Sequence, residues 1–144
     1  MSSPPKSDGE IVKVNPFNMN NKLITENEVI NLLKRFSVED EIDDLSIYQQ
    51  SFIHKSYIKK ENANNQGEEV ELAERPPGCL ELQEASNERL EYLGDSILGA
   101  TIASYLFERY PDQEEGFMTR LRTKIVNGEM LGSLALKMGL AAHM

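Results

Sequence analysis

Glu88, Glu91 and Asp95 lie three and four residues apart in the stretch SNERLEYLGDSILG, Ser86 to Gly99. At ~100° per residue in a helix, the three carboxylates fall within about 60° of one another on one face. Like charges at these spacings repel by a few tenths of a kcal/mol per pair even in water, so the stripe needs a reason. Three chemistries answer to it. A solvated face whose acids suit the positive end of the helix dipole accounts for Glu88 and Glu91. It accounts poorly for Asp95, which sits more than two turns in, where aspartate is a weak helix former. Ion pairs to a neighbouring helix are the second reading. The third is a divalent metal site, because magnesium takes hard oxygen donors, commonly one or two carboxylates completed by water and phosphate oxygens. Leu90, Leu93 and Ile97 fall on the opposite face and are expected to point to the core. Tyr92 lies beside the acidic stripe, and Gly94, without a side chain, lets another element approach closely.

The elements that must position these residues read as helices. Thr25 and Glu28 in TENE form a capping box, followed by the inward series Val29, Ile30, Leu32, Leu33 and Phe36. A second helical stretch, DDLSIYQQSFIHKSYIKK, is capped by Asp43 or Asp44, with Leu45, Tyr48 and Phe52 recurring at three and four. The acidic helix is expected from about Ser86 or Asn87 to Tyr110, stopped by Pro111. A final pair, EEGFMTRLRTKIVNG and EMLGSLALKMGL, joins at Gly128 and ends at Gly139. No stretch shows sustained strand alternation, so the fold class expected is all-α. Residues 1 to about 22, rich in Ser, Pro, Asn and Lys, read as a disordered, mobile tail. Residues 23–144 read as one domain, interrupted at about 61–83 by an insertion with breakers at Gly67, Pro76, Pro77 and Gly78. Its acidic run, Glu68, Glu69, Glu71 and Glu74, reads as a solvated face.

Composition bounds the function. The chain has 144 residues, enough for one core, and is 40% hydrophobic and 27% charged, as globular domains are. The formal net charge of −9 argues against a generic basic nucleic-acid patch but not against an enzyme that meets phosphates through metal ions. A single cysteine, Cys79, excludes an internal disulfide framework and suits a reducing compartment. No apolar run approaches a membrane span, and the N-terminus lacks the apolar core of a signal peptide, so an intracellular protein without membrane association is expected. His54 and His143 are far apart and form no zinc pattern. His54, without a Ser, Cys or Asp partner pattern, reads as a structural hydrogen-bonding group.

The run N-E-R-L-E-Y-L-G-D, Asn87 to Asp95, resembles the signature motif of the ribonuclease III family. Upstream, YQQSFIHKSY resembles the family helix that ends in a His-basic-Ser turn, here His54, Lys55 and Ser56. Downstream, the helices opening with Glu115 and Gly116 resemble the family's next pair, so the likeness runs from about Leu23 to Leu140. It implies that Glu91 and Asp95 bind the catalytic magnesium, for which manganese can stand in. It also implies that Glu88 is an accessory acid and that Glu115 lines the same cleft. Tyr92, with Gly94 beside it, matches an aromatic position packed across a homodimer interface. The implied activity is hydrolysis of phosphodiester bonds in double-stranded RNA, as in RNA processing, with a divalent ion activating water and stabilising the leaving oxygen. Arg120, Arg122 and Lys124 are candidates for phosphate contacts. Arg89 is another, or else bridges to an acid within the fold.

One departure bears on this expectation. The family completes its metal site with a second acidic motif, D-x-x-E, on a helix beyond the region matched by LALKMGL. The sequence ends at Met144, and DQEE, Asp112 to Glu115, has the spacing but lies in the turn before Glu115. The expectation is therefore an N-terminal part of a ribonuclease III, poorly stable and slow to cleave by itself. The alternative is a catalytically inactive ribonuclease III-like module that binds RNA or a partner, against which the retention of all four acids weighs.

Overall fold

A computed structural model describes residues 12–39, 41–59 and 70–143. Their order is β1 (Val12–Val14), α1 (Glu26–Lys34), α2 (Leu45–Ser51), a 3-10 turn (Lys55–Tyr57), β2 (Val70–Leu72), α3 (Glu88–Arg109), α4 (Glu115–Ile125), α5 (Gly128–Met138) and a second 3-10 turn (Leu140–His143). The architecture is helical, as expected of an all-α domain, with one two-stranded sheet added.

The helix ends follow from local side chains. Thr25 and Glu28 close the capping box at α1, the Thr25 N–H donating to Glu28 Oε2 at 2.8 Å. Asp44 Oδ1 accepts from the Ser46 N–H at 2.9 Å and from its hydroxyl at 2.6 Å, starting α2. Asn127 caps α5 through the Met130 N–H at 2.9 Å while its amide donates to the Lys124 carbonyl at 2.8 Å, so one side chain fixes the α4–α5 corner. Gly139 ends α5 at φ 79°, where a side chain would be strained. A Cβ there would also lie 2.9 Å from Arg35 Nη1.

The two caps at α1 and α2 make stability sensitive to acid. The Thr25 backbone N–H and hydroxyl hold the Glu28 carboxyl below its ordinary value, and the Ser46 hydroxyl and N–H do the same for Asp44. Both groups are depressed in the folded chain, so their contribution is complete above the unfolded values of about 4.3 and 3.9 and is lost as pH falls through the folded ones. The helical circular dichroism signal should resist heating equally at pH 7 and 6, and less below about pH 4. Replacing Thr25 with alanine should reduce that acid sensitivity along with overall stability.

The second helical stretch is shorter than its sequence suggests. α2 stops at Ser51, and the chain turns at His54, whose Nδ1 accepts from the Ser56 N–H at 3.2 Å. His54 is thus the cap of the Lys55–Tyr57 turn, a structural role. The buried Tyr57 anchors that turn, its hydroxyl donating to the Leu80 carbonyl at 2.8 Å beside the buried Cys79. Burial among these groups pushes the Tyr57 phenol up.

The expected tail and insertion meet each other. Residues 1–11 and 61–69, with the acids Glu68 and Glu69, lie outside the described residues. Residues 12–14 pair in parallel with 70–72, Val12 opposite Val70 and Val14 opposite Leu72. Part of the stretch read as a mobile tail is therefore a strand, and part of the insertion is its partner. A second parallel contact joins Ile58 to Gln83, and the Lys59–Glu84 ion pair flanks it. Strands of three residues are too short to show the alternation that marks a strand in sequence.

The described core is small. Ile24, Val29, Tyr57, Cys79 and Leu106 are its buried members. Tyr110, against Phe117 at 5.3 Å between ring centres, turns α3 into α4.

Candidate active site

The face of α3 that carries the acids is also the face it buries. At ~100° per residue, Gly99, Ile102 and Leu106 continue the stripe of Glu88, Glu91 and Asp95 within about 80°. Leu106 is 1% exposed and Ile102 half-buried, while the three acids, nearer the N-terminus, are exposed. The carboxylates thus occupy the open end of an inward-facing surface. Of the three apolar residues expected to face the core, Leu90 is half-buried, and Leu93 and Ile97 do the opposite. Leu93 is 55% and Ile97 58% exposed. α4 packs on the C-terminal half of α3 around Ala103, Leu106 and Phe107. Tyr92 is 80% exposed, and a Cβ placed on Gly94 would meet nothing within 4 Å.

The acids divide by their partners. Glu88 has both oxygens engaged, Oε1 with Lys55 Nζ at 3.3 Å and Oε2 with the Ser86 hydroxyl at 3.4 Å. The Glu88 N–H reaches the same hydroxyl at 3.5 Å, while Asn87, one of the two expected caps, is the N-cap residue and makes no side-chain cap bond. Two further bonds fix this corner: the Gln50 side chain donates to the Ser86 carbonyl at 2.9 Å, and the Asn87 N–H to the Ile53 carbonyl at 2.8 Å. Among the described residues, Glu91 and Asp95 have neither an ion pair within 4.0 Å nor a side-chain hydrogen bond. Lys55 was legible only as the basic residue after His54; its reach to Glu88 depends on the turn that follows α2.

Glu115, expected in the same cleft, stands elsewhere in the protomer. It opens α4, accepts from the Thr119 hydroxyl at 2.7 Å, and lines a hollow of about 360 Å³ with Ala103, Ser104, Phe107 and Arg122. Ala103 is eight residues beyond Asp95, about 12 Å along the axis at 1.5 Å per residue. Among the described residues no three His, Cys, Asp or Glu side chains come together as a metal-binding group. The cations divide as well. Arg120 and Lys124 are one turn apart on α4, whereas Arg122 sits on the Glu115 side.

The donor set fits a hard divalent cation of the kind held by one or two carboxylates. Glu91 and Asp95 are oxygen donors on successive turns, exposed and uncommitted. They do not amount to an all-protein cage.

Comparisons with known proteins agree with the signature. The model of the ribonuclease III domain matches residues 88–144. The chain is 36% identical over 130 residues, 89% of its length, to a probable ribonuclease 3 of Acanthamoeba polyphaga mimivirus, of which it covers 23%. It is 39% identical over 97 residues, 67% of its length, to ribonuclease 3 of Phocaeicola vulgatus, covering 26% of that protein. With ribonuclease 3 of Rhodopirellula baltica the identity is 48% over 56 residues, 39% of this chain and 21% of the relative. The chain thus spans about a quarter of the length of these relatives or less. No helix among the described residues is long and apolar enough to cross a membrane. Through residues 88–144, where Glu88, Glu91, Asp95 and Glu115 all stand, the chain belongs to the ribonuclease III family.

Proposed function

We propose that this chain contributes to a divalent-metal-dependent endoribonuclease acting on double-stranded RNA, with Glu91 and Asp95 as the residues that hold magnesium. The observation that carries the reading is the pair of uncommitted carboxylates at the open end of the buried face of α3, within a ribonuclease III signature. Magnesium, when bound, supplies the Lewis acidity and the activated water that phosphodiester hydrolysis needs. The chain's own residues do the rest. Glu91 and Asp95 fix the ion on successive turns of a rigid helix, and their paired negative charge keeps a polyanion at a distance until the ion offsets it. Arg120 and Lys124 offer cations to the RNA backbone, which in double-stranded RNA is recognised chiefly by shape, phosphates and 2′-hydroxyls. A labelled RNA duplex incubated with the protein in magnesium and in EDTA tests this. Magnesium-dependent internal cleavage is expected; cleavage that persists in EDTA would overturn the metal reading.

That Glu115 does not join Glu91 and Asp95 in a metal-binding group among the described residues favours a second reading, an RNA-binding module without activity of its own. Duplex binding by fluorescence anisotropy, with no cleavage at any magnesium concentration, is its expected outcome.

Homodimerisation is part of the same proposal. Tyr92, 80% exposed beside the open Gly94, presents aromatic surface that a C2 contact would bury against its own copy. Tyr92→Ala should shift sedimentation toward monomer. A dimer mass unchanged at low micromolar concentration would remove Tyr92 from the interface.

A further inference from the structure

The Lys55–Glu88 pair has a bearing on the metal site that neither residue has alone. Lys55 has an exposed side chain on an anchored turn. It opens the 3-10 turn that His54 caps and Tyr57 anchors in the core, and that turn is tied to the start of α3 through the Ile53 carbonyl and the Asn87 N–H. Among the described residues, Lys55 is the sole cation within 4.0 Å of any of the three stripe carboxylates. It meets Glu88 on Oε1 while Ser86 meets Oε2, so each oxygen of that acid has a neighbouring donor.

We infer, on the footing of the proposed metal site, that Lys55 is a positioning residue. By engaging Glu88 it keeps that acid out of the divalent ion's coordination and lowers the site's affinity for the ion. Glu91 and Asp95 then act as the ligands, and Glu88 as the acid that docks the His54–Lys55–Ser56 turn onto α3. The ammonium also offsets one of three stacked negative charges, which repel each other at these spacings. Loss of Lys55 frees a third carboxylate one turn from Glu91 and restores the full negative field. Both effects favour a divalent cation, since ligand number and charge set its affinity.

The test is direct binding of Mn2+, followed by the electron paramagnetic resonance signal of the free ion, to the whole chain and its variants. Lys55→Met should bind Mn2+ more tightly at low ionic strength, by more than the about three-fold that loss of one unit charge roughly 12 Å from a divalent ion gives by itself in a water-like dielectric. Lys55→Arg, which keeps the charge, should bind as the parent does. In a Glu88→Gln background, Lys55→Met should gain clearly less, because the carboxylate it would free is gone. Lys55→Gln repeats the measurement should Lys55→Met lose helical circular dichroism. Unchanged or weaker binding by folded Lys55→Met, with the parent binding, would overturn the inference and leave the metal site standing. An equal gain with and without Glu88 would also overturn it, by showing a general field effect. A parent chain that binds no Mn2+ would overturn the metal site and this inference together.

Discussion

Asp95→Asn is expected to lower magnesium-dependent cleavage of an RNA duplex by about a thousandfold while the helical fold survives. The side chain is exposed and has no protein partner, so the change removes charge without opening a cavity or stranding a buried group. A misplaced ion forfeits several kcal/mol of transition-state stabilisation, and each ~1.4 kcal/mol is a factor of ten in rate. Glu91→Gln should behave similarly. Glu88→Gln should cost much less, because Glu88 is already committed to Lys55 and Ser86. Initial rates across a magnesium titration, with thermal unfolding as the control for fold, separate these outcomes. Equal losses at Glu88 and Asp95 would show that the acids act as one set and that the division by partners is wrong.

Leu106→Ala should be the most damaging substitution for stability, by about 3 kcal/mol, the middle of the range for a fully buried leucine. At 1% exposed, Leu106 is the point where α4 closes on α3. A domain stable by only about 5–15 kcal/mol feels such a loss as a clear fall in the urea midpoint. Leu93→Ala is the matched control. Leu93 is 55% exposed, so in a monomer its truncation should change the midpoint little. A Leu93→Ala loss as large as that of Leu106→Ala, at protein concentrations where the chain is monomeric, would mean that the outer face of α3 is covered after all.

Where side chain and backbone meet within a few residues, the sequence was readable. The Thr25–Glu28 box, the Asp44 cap, the span of α3 and the left-handed Gly139 all follow from local chemistry. The acidic stripe was readable for the same reason, since a helix alone sets its spacing. Which face of α3 would be covered was not readable. A helical wheel gives relative directions, and which face is covered depends on elements that pack against the helix from elsewhere in the chain. The separation of Glu115 from Asp95 has the same origin. The early end of α2 depended on the His54 ring capping Ser56, which competes with helix continuation and leaves no periodic trace. The Lys55–Glu88 contact joins segments that are distant in sequence, and β1 and β2 are too short to carry a pattern.

The pairing of β1 with β2 has a consequence for the order in which the chain folds. Parallel partners need a long connection, and here roughly 55 residues separate Val14 from Val70. Closing a loop of that length costs about 3.5 kcal/mol in chain entropy on the logarithmic scaling alone. Three cross-strand pairs return a few tenths to about 1 kcal/mol each. The strands therefore cannot nucleate. They come together only after α1, α2 and the Tyr57 anchor have already shortened the path between them, and they part first when those helices loosen. Residues 12–14 are thus expected to act as a latch that closes last on helices already formed.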